Sequence, residues 1–399
     1  MNATRCVRWA VAVLTGLAVL RAGAQGGLTP STAPAPMMKT LAQIEPRTAI
    51  TNVPYTITQP GTYYLASNLT SATDGVIIRT NDVVLDLMGF ALAGDRSSSG
   101  DIGVYVEGTN AAPILDVVVR NGTIHDFGYG VRMDHSRAGR LEGLNVASNA
   151  YGGIWLYGRF GQCSGNAILD CAVHDNNGEG IFFYGYGGQC DGNVIDGCTI
   201  VRNQKDGVTF SGTGGQSDGN ALLRSTVVGC SSNGVYLDGT FSGRCVGNRV
   251  ADCAIVDNGR MGIYLNGTSS GACHGNAISG CTVAGNGDMG MLLTTSGTGA
   301  CNDNTVENCV VDGNVDSGIH LVYARGTRVE GNHVHGQSGL SYGISAINAS
   351  SNLIVRNTCV GQGNNFVMDP DDTYGPVVTN KGALPNTGTP AHPWANFSR

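Results

Sequence analysis

Asn193-Val194-Ile195-Asp196-Gly197-Cys198-Thr199-Ile200-Val201-Arg202-Asn203-Gln204-Lys205-Asp206-Gly207-Val208-Thr209-Phe210 contains three short runs of alternating apolar residues, separated by glycine, cysteine or asparagine. A strand sends successive side chains to opposite faces, so Val208 and Phe210 share one face and Thr209 takes the other. No run reaches the ten or more periodic residues of a helix. Three strands in so short a stretch describe one coil of a β-helix.

The last of these runs recurs. Gly followed by apolar-x-apolar begins at Gly103, Gly130, Gly153, Gly180, Gly207, Gly234, Gly262, Gly290, Gly318 and Gly343, at spacings of 27, 23, 27, 27, 27, 28, 28, 28 and 25. Gly75 extends the series backwards by 28, and Asn365-Phe366-Val367-Met368 reads as a degenerate last turn. A sustained period of this size means a solenoid, not several domains. Two asparagine columns follow it: Asn166, Asn193, Asn220, Asn248, Asn276, Asn304, and Asn176, Asn203, Cys230, Asn258, Asn286, Asn314. Stacked amides hydrogen-bond from coil to coil, so these columns are read as structural.

Composition agrees. Glycine is 61 of 399 residues and charged residues are 13%, which excludes a coiled coil, a charged disordered chain and collagen. So much glycine would cost a helical protein about 1 kcal/mol at each interior site. The start reads as a secretory signal, with Arg5 and Arg8, an apolar run from Trp9 to Leu20, and Ala22-Gly23-Ala24. Its removal takes three positive charges from a chain of formal charge −7. An acidic chain with no basic run repels phosphate backbones, so nucleic acid is not an expected partner. No other segment is apolar for long enough to span a bilayer, and a secreted or periplasmic monomer is expected.

The pattern Asn193-x-Ile195-x-x-Cys198-x-Ile200-x-x-Asn203, followed by Gly207-Val208-x-Phe210, resembles the right-handed parallel β-helix proteins of the pectin-lyase-like superfamily. Ile57-Thr58-Gln59-Pro60-Gly61-Thr62-Tyr63-Tyr64-Leu65, Val84-Leu85-Asp86-Leu87-Met88-Gly89-Phe90 and Pro393-Trp394-Ala395-Asn396-Phe397 resemble a secreted bacterial subgroup of it. The resemblance implies an all-β, right-handed parallel β-helix solenoid of about 12 coils and is specific for fold, not chemistry. The expected organisation is a signal peptide over 1–24, a linker and N-terminal cap over 25–47, the β-helix over 48–368 and an irregular C-terminal cap over 369–399. Met37, Met38, Leu41 and Ile44 give the first cap a short amphipathic helix, and the prolines of the tail argue against inner strands there.

Cys6 leaves with the signal. Ten of the remaining cysteines form pairs eight residues apart: Cys163 and Cys171, Cys190 and Cys198, Cys245 and Cys253, Cys273 and Cys281, Cys301 and Cys309. Cys230 and Cys359 are left over. Ser217 and Ser225 stand together at the matching positions of one coil. That joint loss favours disulfides within a coil. Bonding between stacked cysteines and reduced buried thiols are the alternatives. The spacing lacks the CxxC pattern of zinc or iron–sulfur sites.

With two residues of each Gly-apolar-x-apolar strand inward, the outward columns are Tyr105, Arg132, Trp155, Phe182, Thr209, Tyr236, Tyr264, Leu292, His320 and Tyr157, Tyr184, Ser211, Asp238, Asn266, Thr294, Val322. Trp155, Tyr157, Phe182 and Tyr184 are expected to form an exposed aromatic cluster, with Tyr236 and Tyr264 further along. Sugar rings stack on such faces. The competing reading is that these rings only brace the sheet beneath glycine-rich loops at 158–161 and 185–188. Asp238 is the candidate catalytic acid or base, with Asp206, Glu179 and Asp316 at the turns leading onto the face. The motifs of polygalacturonases are absent; Asp134-His135 resembles the pair of pectate lyases without its surroundings, and Lys205 and Arg202 lack an acidic calcium cluster. The superfamily includes periplasmic copper-associated β-helices, but His333-x-His335 supplies only two imidazoles, so no metal site is assigned and no cofactor is specified. The expected function is polysaccharide binding through the aromatic face, extended to hydrolase or lyase activity. The alternative is a non-enzymatic structural or adhesive surface protein.

Overall fold

The computed structural model describes residues 45–96, 100–336, 342–361, 363–379, 388 and 392–399. The signal-like segment and the expected capping helix around Met37, Met38, Leu41 and Ile44 lie outside the described residues. Each middle coil has the three strands that its alternation dictates, as in Val194–Asp196, Thr199–Val201 and Val208–Ser211. Every third strand joins one parallel, 13-stranded sheet that runs from Tyr55–Ile57 to Asn364–Val367. Of the other strands, Ile114–Leu115 and Ser136–Arg137 pair by themselves, and the rest form a 26-stranded sheet along the remaining faces of the coil.

Register follows from the apolar alternation, since a slip of one residue would turn each core side chain outward. Val208, Val235, Ile263, Met291 and Ile319 are partners in successive strands, and all are 0% exposed. Phe210, Leu237, Leu265 and Leu293 make the second inward column and are buried too.

Both asparagine columns are buried ladders. Asn193 donates its backbone N–H at 2.8 Å and its Nδ2 at 3.1 Å to Asn220 Oδ1, and Nδ2 also reaches back to Cys163 O at 3.1 Å. Asn258 and Asn286 repeat the arrangement in the second column, Asn258 Nδ2 donating to Asn286 Oδ1 at 3.0 Å. Each amide therefore serves two neighbours, which is why asparagine recurs along both columns, with Cys230 standing in at one coil of the second.

The cysteines correct the disulfide expectation. All twelve described cysteines are free and buried. A strand such as Ala167–Leu169 lies between Cys163 and Cys171 and holds the two apart. Contacts run instead between coils: Cys198 Sγ receives the Cys171 N–H at 3.5 Å, and Ser225 Oγ receives the Cys198 N–H at 3.1 Å. Asn332 takes the same place below Cys309, whose N–H reaches Asn332 Oδ1 at 3.0 Å. Thiol, hydroxyl and amide are thus interchangeable acceptors at this turn. Serine replaces cysteine there as a hydrogen-bonding group, without the loss of a bond.

The tail is more regular than its prolines suggest. Thr373–Tyr374 pairs with Leu353–Val355, and Asn396–Ser398 pairs with both Thr358–Val360 and Val377–Val378. Pro370, Pro376 and Pro393 fall outside these short pieces, so no ladder hydrogen bond is lost.

Candidate functional site

The outer face of the 13-stranded sheet has the expected columns in register: Arg132 beside Trp155, Trp155 beside Phe182, and Tyr157 beside Tyr184. Ring contacts then run without a break. Tyr151 stacks on Tyr129 at 5.5 Å, Tyr129 meets Trp155 at 4.8 Å, and Trp155 meets Phe182 at 4.7 Å. Phe182 meets Tyr184 at 5.2 Å, and Tyr184 touches Tyr157 at 5.3 Å and Tyr186 at 5.9 Å. Tyr186 closes the row on Phe160 at 5.8 Å.

Exposure differs from the expectation. Trp155, Tyr157, Phe182 and Tyr184 are half-buried, whereas Tyr151, Phe160 and Tyr186 at the ends of the row are 46%, 58% and 38% exposed. Long rings on adjacent strands, about 4.8 Å apart, cover one another. The glycine-rich loops do not merely shield the row, because they carry Phe160 and Tyr186. These residues and the 66%-exposed Phe241 lie beyond the strand ends and so outside the outward columns. An aromatic between glycines, as in Gly185-Tyr186-Gly187, was the available signal. Trp155 Nε1 is buried without a partner among the described residues, against Gly152, where a Cβ would lie 2.2 Å from that nitrogen.

Arg132 and Asp134 were also missed as a unit. Arg132 Nε and Nη2 donate to both Asp134 oxygens at 2.7 Å, and the Tyr105 hydroxyl donates to Asp134 Oδ2 at 2.9 Å. The guanidinium lies 4.4 Å over the Tyr157 ring. Burial, and then the Asp134 charge, push the Tyr105 phenol well above its ordinary pKa. An Arg-x-Asp pair on one side of a strand was the sequence signal.

Tyr236 and Tyr264 stack at 5.0 Å, but buried Thr209 and Ser211 separate them from the main row. Asn266 Nδ2 donates to the Tyr236 hydroxyl at 2.9 Å, and burial pushes that phenol far up. Asp238 is half-buried and receives Thr213 Oγ1 at 2.5 Å, Ser211 Oγ at 3.3 Å and the Thr240 N–H at 3.2 Å. Asp206 is held at the other end of the strand by Asn233, and Glu179 by Lys205. A strand of four residues spans ~13 Å, beyond the ~5–9.5 Å separation of glycosidase carboxylates, so neither forms such a pair with Asp238. Arg202 is engaged bidentately by Asp175, at 2.8 Å for each bond, which leaves it and Lys205 tied to carboxylates. Among the described residues no three His, Cys, Asp or Glu side chains gather as a metal site. The His333 and His335 rings lie parallel at 6.4 Å, and His335 Nδ1 is 2.9 Å from Asp312 Oδ1.

Comparison with known proteins bears on the fold. A family model described as right handed beta helix region matches residues 67–222 and 102–277, together more than half of the chain. A second, for the periplasmic copper-binding protein NosD, matches residues 213–380. Among the described residues neither the histidine pair nor the buried thiol columns bring three such ligands together. No curated protein matches the chain. Among solved structures, ORF18 of Geobacillus virus E2 is 18% identical with a TM-score of 0.53, over 69% of this chain and 53% of that one. The chain thus spans about half of that viral protein. The A-module of a mannuronan C-5 epimerase from Azotobacter vinelandii is 15% identical with a TM-score of 0.56, over 79% and 89%. The receptor-binding domain of the siphovirus 9NA tailspike is 12% identical with a TM-score of 0.51, over 86% and 73%. At these identities the likeness is one of fold.

Proposed function

The chain belongs to the right-handed β-helix family, and on that premise we propose that it binds polysaccharide along the aromatic row of its 13-stranded sheet. The observation that carries this reading is the unbroken run of ring contacts from Tyr151 to Phe160, exposed at both ends. Sugar rings present apolar faces that stack on aromatic ones, and rings fixed on a sheet bind without being ordered first. Tyr236 and Tyr264 form a second, smaller platform in the same reading. A fold shared with a mannuronan epimerase module and a tailspike receptor-binding domain supports a carbohydrate partner by analogy. We place the protein outside the cytoplasm, secreted or periplasmic, on its signal-like start and on its match to the family model of a periplasmic protein. No helix among the described residues is long and apolar enough to cross a membrane.

A glycan array, run with and without calcium, tests the proposal. Binding that disappears in Trp155→Ala with Tyr184→Ala, while the melting temperature holds, supports it. An empty array leaves the reading of a structural or adhesive surface protein. Asp238 is the candidate acid or base of the same proposal, since it stands two strands beyond Tyr184 in one column. Loss of turnover with binding kept in Asp238→Asn supports that role, and unchanged turnover removes it.

A further inference from the structure

The coil that follows Met291–Thr294 is longer than the next one at one corner. Ten residues lead from Thr294 to Asn304, but only five lead from Val322 to Thr327, and the shorter loop rejoins the stack where Arg325 bridges to Asn302. The loop at 295–299 therefore overhangs with no equivalent loop on its C-terminal side. On its N-terminal side it rests on the preceding loop: a Cβ at Gly299 would lie 1.9 Å from Gly267 O. The step leaves an open cleft of about 540 Å³, whose walls include Thr295, Ser296, Thr298, Asn302, Tyr323 and Arg325.

Most of the arginines are tied to carboxylates, with exposed Arg249 and Arg260 among the exceptions, and the walls of the cleft hold another. Arg79, Arg120, Arg132, Arg202, Arg224 and Arg328 are each engaged by a carboxylate. The Arg325 guanidinium has no ion pair or hydrogen bond among the described residues, although Asp303 lies against the adjacent Gly326. The Ser296 hydroxyl and the Asn302 amide are likewise without a partner there. Tyr323 is 49% exposed and has φ of 56°. Left-handed corners of this kind recur along the coils, as at Phe160, Arg202 and Phe241, and here one fixes the backbone that carries the ring. One free cation, free hydroxyl and amide groups and a fixed aromatic face thus converge on a single recess.

We infer that this cleft is a subsite for one anionic unit of a glycan, with its charged group on Arg325, its hydroxyls on Ser296 and Asn302, and its ring against Tyr323. The inference rests on the polysaccharide reading above and adds the charge of one sugar. Four strand steps separate Tyr184 from Thr294, a distance of about 19 Å, so one extended chain along this edge reaches both places. A carboxylate and a sulfate ester have the chemistry that Arg325 recognises in common.

The test measures binding of three tetrasaccharide probes to the full chain: an oligouronate, a sulfated neutral oligosaccharide and an uncharged one. The probes are run against the parent, Arg325→Gln, Tyr323→Ala and the double variant Trp155→Ala with Tyr184→Ala, with inorganic sulfate as a competitor. We expect one charged probe to bind about tenfold or more tightly than the uncharged one, with that preference lost in Arg325→Gln. Which probe it is distinguishes the carboxylate from the sulfate source. Equal binding of charged and uncharged probes, or a preference that survives Arg325→Gln, overturns the subsite and leaves the aromatic row standing. A preference lost in Arg325→Gln but untouched by the aromatic double variant keeps the subsite and overturns the row. No binding to any probe overturns both. Arg325 and Tyr323 lie on an exposed loop, and an unchanged circular dichroism spectrum excludes unfolding as the cause of a loss.

Discussion

Asn166, Asn193 and Asn220 stand at one corner of three successive coils with almost no exposure, and each gives its hydrogen bonds to the next. Positions 160, 187 and 214, at a loop corner of the same coils, hold Phe, Gly and Gly. The first corner must satisfy a donor below and an acceptor above, so one residue type recurs. The second needs only a backbone that stacks, so its side chains are free to differ. Periodicity therefore marks what holds the solenoid together, and its interruptions mark where a ligand can be told from solvent.

The strongest way to break this comparison is to attack the periodic interior. Ile263→Asp buries an unpaired charge between Val235 and Met291 and should cost about 4 kcal/mol or more, spreading to both flanking coils. Soluble, fully folded protein by circular dichroism would show that the inward face is misassigned. Asn248→Ala removes the acceptor that Asn220 N–H reaches at 2.7 Å and should cost about 1–3 kcal/mol, read as a lower denaturation midpoint with an unchanged slope.

The thiols sharpen the same contrast at intermediate cost. Cys198→Ser should change stability by no more than about 1 kcal/mol, because Ser225 already performs this role one coil on. In the folded protein, non-reducing peptide mapping should find no link between Cys190 and Cys198, and the thiols should react with a disulfide reagent only on unfolding. At the loop corner, Tyr186→Ala with Phe160→Ala should lower stability by only about 0.2–1 kcal/mol while weakening glycan binding.

The smallest expected effect is one of pH. Arg202 holds the Asp175 carboxyl down to about 2, against the opposing effect of burial and with help from His174. A lowered folded pKa adds stability above the ordinary carboxylate value, and that stability fades as the pH falls towards 2. The Arg202 and Asp175 side chains are 62% and 39% exposed, so screening should leave only a small loss in an acid titration of Arg202→Gln against the parent.

The fold was legible because inward and outward alternation is a property of the backbone: Gly207-Val208-Thr209-Phe210 suffices to place Val208 against Val235. Exposure was not legible in the same way. Thr209 lies in the outward column yet is 4% exposed, since a short side chain between Phe182 and Tyr236 is covered by its neighbours. The cysteine spacing misled because sulfur, hydroxyl and amide accept the same turn hydrogen bond, so a pattern of joint replacement resembles one of joint bonding. The step at Arg325 is visible as one short spacing, but only the stacked coils show that it leaves a recess.

The first ladder changes residue type near its end, where Thr327 stands between Asn304 and Asn352 and Asp372 follows Asn352. Asn352 donates its N–H at 3.0 Å and its Nδ2 at 2.9 Å to Asp372 Oδ1, so Asp372 accepts as an asparagine would. A carboxylate has no amide hydrogen to hand onward, and Asp372 Oδ2 is buried without a partner among the described residues. The ladder has a direction, and this residue is its end group, as a capped monomer is in a growing polymer. Thr327, which also lacks an amide, still hands on its backbone N–H, to Asn352 Oδ1 at 2.8 Å, whereas Asp372 spends its own on Asp369 O at 3.1 Å, so nothing is left to pass to a further coil.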